Sequence, residues 1–443
     1  QALAASERAF HSYRHVSRWM RARLLAQMRS GIEARKEEFV KLIVEEAGKP
    51  VAAAEVEVAR AMNTFHIASE EARGFMGEMI PMDIDPAGRD FEESAVVHWV
   101  PRGPVLGITP FNFPLNLVVH KVAPALAAGV TILIKPAPQA PGAAILLAQV
   151  FEEAAKAVSD GRESIDLSAF QVLNCANEVV ARATTDPRIT ILTFTGSGKV
   201  GWELQRAAIG KKVTLELGGN AAVIVHSDAD LARAASRCVT GGFGYAGQSC
   251  ISVQRILIHE SIASEFEKKI IEETRKLKSG DPRDRAVTVG PVIDARSADR
   301  LESWIKQAIS EGAQCLVGGT RTKNVIEATV LKNVDRKMPL YCEEAFGPVV
   351  ILETYKEFSQ AIASVNDSQY GLQCGVFTLD ERRIRQAIEQ LEVGGVLINE
   401  VPTYRADQQP YGGMKASGLG REGVKYAMQE FSETKTVIRF KTT

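Results

Sequence analysis

Cys250 ends the run Gly247-Gln248-Ser249-Cys250, where a glycine-rich turn can leave its sulfur facing a cleft. A thiolate attacks a carbonyl carbon well and leaves again from a thioester, provided its surroundings ease loss of the proton. A single cysteine is nevertheless more often an inert buried residue, and residue type alone does not separate the two. Glu216 stands in Leu215-Glu216-Leu217-Gly218-Gly219-Asn220, at the end of an expected strand where a carboxylate can protrude into a crevice. It reads as a general base or as a solvated or paired acid. Asn112, in Pro110-Phe111-Asn112-Phe113-Pro114, is an amide in a stiff loop. A donor fixed there could stabilise an oxyanion, and the same residue could simply cap a turn.

A second group of residues suits a bound nucleotide. Gly196-Ser197-Gly198-Lys199-Val200-Gly201 matches G-x-G-x-x-G between an apolar strand and an expected helix, where backbone amides can approach phosphate. An ordinary strand-to-helix turn would look the same. No acid ends the next strand at the usual ribose-reading position, because the nearest, Glu216, is followed by glycines. Glu343-Glu344-Ala345-Phe346-Gly347-Pro348 sets carboxylates beside an aromatic ring, suited to a sugar hydroxyl and a planar heterocycle or to a charged loop. Lys135 ends a strand before Pro136-Ala137. Arg405 follows a strand near Asn399 and could meet an anionic or hydroxylated substrate, or pair at a subunit contact; Arg102 is a weaker candidate of the same kind.

These residues need a scaffold that brings distant segments together. Apolar residues from Ser17 to Ala47 fall on helical spacing, so a long amphipathic helix is expected, followed by a second from Ala52 to Arg73. Residues 81–90 are turn-rich, and Ala95 to Val100 alternates as a strand. From Gly103 onward short apolar runs alternate with helical stretches, with strands expected at Val105 to Thr109, Thr131 to Ile134, Phe170 to Leu173, Ile189 to Phe194 and Val213 to Leu217. A second such series begins at Ala221. Strand, helix, strand implies parallel sheets, with the ligand crevice at the strand carboxyl ends. The expected fold is therefore α/β, with two doubly wound parallel-sheet domains.

At 443 residues the chain exceeds what one core serves. Its 45% hydrophobic and 24% charged residues match a soluble globular protein. A formal net charge of -1 supplies no overall pull toward nucleic acid or an anionic membrane. The six cysteines lack any C-x-x-C pair, which fits reduced thiols in a cytoplasmic setting. The histidines contain no H-E-x-x-H, and His11 and His15 have no third ligand nearby, so no metal is expected. No apolar run approaches the ~20 residues of a membrane span. There is no signal-peptide core, although Gln1 in first place leaves a removed segment open.

Taken together, P-F-N-F-P, K-P-A, F-T-G-S, L-E-L-G-G-N, G-Q-S-C and E-E-A-F-G-P resemble the aldehyde dehydrogenase superfamily in order and spacing. The similarity runs from the first helix to Pro410-to-Gly423, nearest the branch handling lactaldehyde and other small hydroxylated or acidic aldehydes. It implies a cofactor domain at 1–79 and 101–218, a catalytic domain at 219–428, and a β oligomerisation element at 80–100 and 429–443. It implies NAD or NADP as cofactor, a small aldehyde as substrate, and a homodimer or homotetramer. By the same resemblance Cys250 is the nucleophile, Asn112 with the Cys250 N–H the oxyanion donor, and Glu216 the activator of hydrolytic water. Lys135, Gly196, Ser197, Glu344, Phe346, Thr109, Pro110 and Phe111 would contact the cofactor.

One departure bears on the cofactor. Members preferring NAD often carry glutamate three positions after this lysine, whereas Pro138 stands here. Without that acid a 2′-phosphate is electrostatically more acceptable, which leaves both nucleotides open. Two rivals remain: a coenzyme A-acylating enzyme, against which Glu216 argues, and a non-catalytic structural or binding protein with the same fold.

Overall fold

The computed structural model describes residues 1–86 and 91–441. Among the described residues the chain builds two large, mostly parallel sheets, a three-stranded antiparallel sheet and two two-stranded antiparallel pairs. In the first large sheet the spatial order is Gly418–Leu419, Lys212–Glu216, Ile191–Thr195, Val105–Ile108, Ile132–Lys135, Phe170–Val172. Its three central strands are short and buried on both faces, as a parallel sheet covered by helices requires. Alternate residues serve opposite cores: Val105, Ile132, Ile134 and Ile191 point into one, Leu106, Leu133, Leu192 and Leu215 into the other.

The second large sheet runs Gln314–Val317, Thr329–Lys332, Val349–Tyr355, Val253–His259, Ala221–Val225, Gln373–Phe377, Gly395–Ile398. Its alternation is of the same kind, with Val223, Val225, Ile256 and Ile258 on one face and Ala222, Ile224, Leu257 and Val376 on the other. The third sheet joins Glu78–Pro81, Ser94–Pro101 and Ser432–Val437, so two segments far apart in sequence share one antiparallel ribbon. Residues 87–90 and 442–443 of the expected 80–100 and 429–443 element lie outside the described residues.

Several elements differ from the sequence expectation. A helix, Ala2–Tyr13, precedes the expected first one. The Ser17-to-Ala47 helix is two, Arg18–Ala34 and Lys36–Ala47, because Arg35 leaves the helical region at φ -113, ψ 22. Gly418–Leu419, which was not expected as a strand, pairs antiparallel with Lys212–Glu216 and covers the edge of the first sheet. That pairing carries the closing glycine-rich stretch onto Glu216. Among the described residues no helix is long and apolar enough to cross a membrane, and no group of His, Cys, Asp and Glu is arranged to hold a metal ion.

Candidate active site

Strand order in the first sheet reverses between Val105–Ile108 and Ile191–Thr195, which lie side by side. A crevice opens at the carboxyl ends of such strands because the two following loops diverge. One loop runs from Thr109 into the wholly buried helix Asn116–Ala128. Its first amides need partners, and Glu57 Oε1 accepts from Leu115 N at 2.9 Å and Asn116 N at 3.1 Å. The other loop passes Gly196 and Ser197 into the helix Gly198–Ala207, with Ser197 at the N-cap making no side-chain capping bond. A β-carbon on Gly198 would meet nothing within 4 Å, so the helix start faces open space.

A cavity of about 650 Å³ occupies this crevice. Every site residue named from sequence lines it except Thr109, Lys135 and the weaker candidate Arg102. Thr109 is buried, its N–H donating to Lys135 O at 3.1 Å and its hydroxyl without a partner. Lys135 donates from Nζ to Asn177 Oδ1 at 2.8 Å, and burial pushes its ammonium below the usual lysine range. Arg102 is also outside the cavity, ion-paired with Glu433.

Cys250 is set by a strained turn. Tyr245, Ala246 and Gly247 take left-handed φ of 52, 53 and 66 in succession. At position 247 only glycine fits, since a β-carbon would stand 2.1 Å from Gly347 O. The two non-glycine residues each cost about 1–3 kcal/mol in that region, so surrounding contacts must hold them. They are found in Tyr245 Oη donating to Ala47 O at 3.0 Å and in Gln248, which bonds Pro291 O at 3.2 Å and Ile293 N at 2.9 Å. Asn112 Nδ2 donates to Gln248 O at 2.9 Å while its Oδ1 has no partner, tying the amide to the backbone two residues before the thiol.

The Cys250 thiol is half-buried, and its pKa is pushed up to about 12, first by burial and further by the charges of Glu344 and Glu216. Tyr411 Oη, 3.4 Å from Sγ, and Arg405 act in the opposite direction. The resting sulfur is therefore a thiol. Glu216 is 3% exposed at the end of its strand, and neither carboxylate oxygen has a hydrogen-bond partner. Burial and the adjacent Glu422 raise its pKa well above the carboxylate range, against Arg405, Lys121 and Arg421. Glu422 is shifted down instead: burial opposes this, but Lys121 at 2.8 Å and Arg405 at 3.1 Å outweigh it. Two buried carboxylates are thus separated, one ionised and paired, the other left free to exchange a proton.

A family model described as the aldehyde dehydrogenase family matches residues 1–437. The chain belongs to the aldehyde dehydrogenase family. It is 42% identical over 407 residues to a 3-sulfolactaldehyde dehydrogenase of Priestia megaterium, covering 91% of this chain and 83% of that one. It is 39% identical over 416 residues to a lactaldehyde dehydrogenase of Methanococcus vannielii, covering 94% and 86%. Its fold superposes with TM-score 0.94 on a glyceraldehyde-3-phosphate dehydrogenase of Methanocaldococcus jannaschii complexed with NADP, at 38% identity and 99% and 93% coverage.

The cavity of this aldehyde dehydrogenase fits the nicotinamide dinucleotide of the family. The donor set offers the open helix start at Ser197 and the unpartnered hydroxyl of Thr195, which lines the cavity. Glu344 closes one side, accepting from Gly219 N at 3.1 Å, and burial brings its carboxyl to about 7. Phe346, held at φ 50, meets Phe111 edge-on at 6.0 Å between centroids, giving two aromatic walls.

Arg405 lies inside the chain, its side chain 7% exposed, paired with Glu422 and stacked 3.7 Å from the Tyr411 ring centroid. Sequence reasoning missed Tyr411, Glu422, Lys121, His120 and Asp407. Tyr411 and Glu422 sit in the Pro410-to-Gly423 stretch, where polar residues among many glycines were a usable signal. Lys121 and His120 interrupt an otherwise apolar helix, which was another. Asp407, bonded to Arg60 at 2.8 Å and Asn63 at 3.1 Å, gave none.

Proposed function

We propose that the protein oxidises a small hydroxylated or acidic aldehyde, lactaldehyde-like, to the free carboxylic acid with NAD or NADP. The substrates in the names of the similar proteins support this class: sulfolactaldehyde, lactaldehyde and glyceraldehyde 3-phosphate each carry a hydroxyl beside the aldehyde carbon. Ser197, Gly196, Lys135, Glu344 and Phe346, with the 109–111 backbone, would hold the dinucleotide, which supplies the hydride acceptor. Arg405, with the neighbouring Arg60 and Arg237 on the same cavity, is the cationic group that would meet a substrate anion or hydroxyl.

Cys250 gives its proton to the Glu216 carboxylate, which passes it on to solvent before hydrolysis, and the sulfur bonds to the aldehyde carbon as the carbonyl π pair moves to oxygen. The Asn112 amide and the Cys250 N–H hold that oxyanion. After oxidation the carbon is a thioester, and Glu216 takes a proton from the water that attacks it, so that the acid departs and the sulfur is released. The observation that carries the hydrolytic reading is Glu216, buried in the cavity of Cys250 with both oxygens unengaged.

Nicotinamide reduction by purified protein tests this, with NAD and NADP separately, across lactaldehyde, glyceraldehyde, succinate semialdehyde and simple aliphatic aldehydes. Turnover without coenzyme A that vanishes in Cys250→Ala is the expected result. Turnover that begins only when coenzyme A is added would replace hydrolysis by acyl transfer. Arg405→Ala should lower the rate for acidic relative to neutral aldehydes, and an unchanged ratio removes Arg405 from the substrate site.

The small antiparallel sheet exposes Met79, Ile80, Val437 and the following Ile438 and Phe440. A second copy of the chain would cover these side chains and the free edge of Glu78–Pro81, as a homodimer or homotetramer.

A further inference from the structure

We propose that Tyr411 is a catalytic residue: its hydroxyl donates a hydrogen bond to the Cys250 sulfur as the thiolate forms, and Arg405, stacked on its ring, is the positioning residue that holds it there. This rests on the reading of Cys250 as the nucleophile.

The geometry leaves the hydroxyl little freedom. Tyr411 is 3% exposed, packs with Ile251 and Leu372, and has Cys250 against the same small cluster. Its backbone is locked to Glu422 by two hydrogen bonds, Tyr411 N to Glu422 O at 3.0 Å and Glu422 N to Tyr411 O at 2.7 Å. The Glu422 side chain in turn holds Arg405 at 3.1 Å, and the Arg405 guanidinium lies 3.7 Å from the Tyr411 ring centroid. One acid thus fixes both the tyrosine backbone and the cation on its ring. A guanidinium over the ring face also draws electron density from the phenol and strengthens its O–H as a donor.

The chemistry requires such a donor. Glu216 faces Cys250 from the end of its strand and Glu344 from the 343–348 loop, and both carboxylates oppose a negative sulfur. From the 402–411 segment come Arg405, whose cation favours the thiolate, and Tyr411, whose Oη stands 3.4 Å from Sγ. Burial keeps the phenol protonated, so it gives a hydrogen bond and does not take the thiol proton. The donated bond is strongest when sulfur is charged, both before attack and when the thioester releases it.

The test is the pH dependence of Cys250 alkylation by iodoacetamide, read by peptide mass spectrometry in the cofactor-free protein, with exposed Cys342 as internal standard. In Tyr411→Phe, which removes one oxygen and keeps the ring, the Cys250 rate at neutral pH should fall about tenfold, with the rising limb of its rate–pH profile displaced by about one unit to higher pH. Arg405→Lys should displace that limb in the same direction by less, with the Cys342 rate unchanged in both variants. Superimposable Cys250 profiles for wild type and Tyr411→Phe overturn the assignment while Cys250 remains the nucleophile. Turnover that survives complete alkylation of Cys250 overturns the nucleophile reading itself.

Discussion

Gly219 lies against the backbone of Cys250, so close that a β-carbon on the glycine would stand 2.3 Å from the cysteine carbonyl oxygen. The glycine pair after Glu216 and the turn that carries the thiol are packed backbone to backbone, which no side-chain rotation can relieve. Gly219→Ala should therefore move Cys250 and not merely crowd it. A displacement near 1 Å at a reacting atom costs about 10²-fold, and a loss of that order in kcat is expected. Steady-state kinetics with saturating cofactor and aldehyde would show it, and an unchanged kcat would mean the turn absorbs the collision.

Asn112→Ala should lower kcat by roughly 10²–10³, because one oxyanion donor is lost. The variant should keep a cooperative thermal transition, since the amide makes one bond, to Gln248 O. A small effect on kcat would leave Asn112 as a brace for the thiol loop and nothing more.

Glu216→Gln keeps shape and removes the base. Nicotinamide should then be reduced in a burst of about one equivalent per Cys250, followed by slow turnover. Intact-protein mass spectrometry should find the acyl adduct on Cys250. Wild-type steady-state rates without an adduct would assign water activation elsewhere.

His120 is a built-in acid sensitivity. Burial first, then Arg405, lowers its folded pKa from 6.5 to about 4, despite Asp407 at 3.3 Å. A folded pKa below the unfolded one means that unfolding takes up a proton between these values. The stabilisation is thus complete above pH 6.5 and is lost as pH falls toward 4. The loss attributable to this group is up to about 3 kcal/mol. Melting temperatures across that window should fall less steeply in His120→Gln than in wild type, and parallel curves would place the acid sensitivity in other groups.

The exposed ribbon residues Ile80 and Phe440 test the proposed contact between copies. Ile80→Lys with Phe440→Lys should reduce the particle mass measured by light scattering while each subunit stays folded. A wild-type protein that is already monomeric at micromolar concentration would end the proposal.

Much of this protein was open to reading along the chain. The two series of short apolar runs predicted two parallel sheets because strands buried on both faces must be apolar throughout. The motifs around Asn112, Glu216, Cys250 and Glu344 were visible because a stiff loop, a strand end and glycines at close approaches each need particular residue types. Arg35 was not readable as a break, since it is an ordinary helix former and nothing in its residue type signals the departure from helical dihedrals. The strand Gly418–Leu419 was equally hidden: two residues carry no periodicity, and their pairing with Glu216 is decided by the sheet edge they cover.

What the linear order by itself determined was the family, the α/β class and which side chains could react, because these depend on residue type and local spacing. The tertiary structure decided their electrostatics. That Glu216 is unpaired while Glu422 is clamped by Lys121 and Arg405 depends on segments about 200 and 300 residues apart meeting in the interior. There the field of each buried charge, and not its place in the sequence, sets which group keeps its proton.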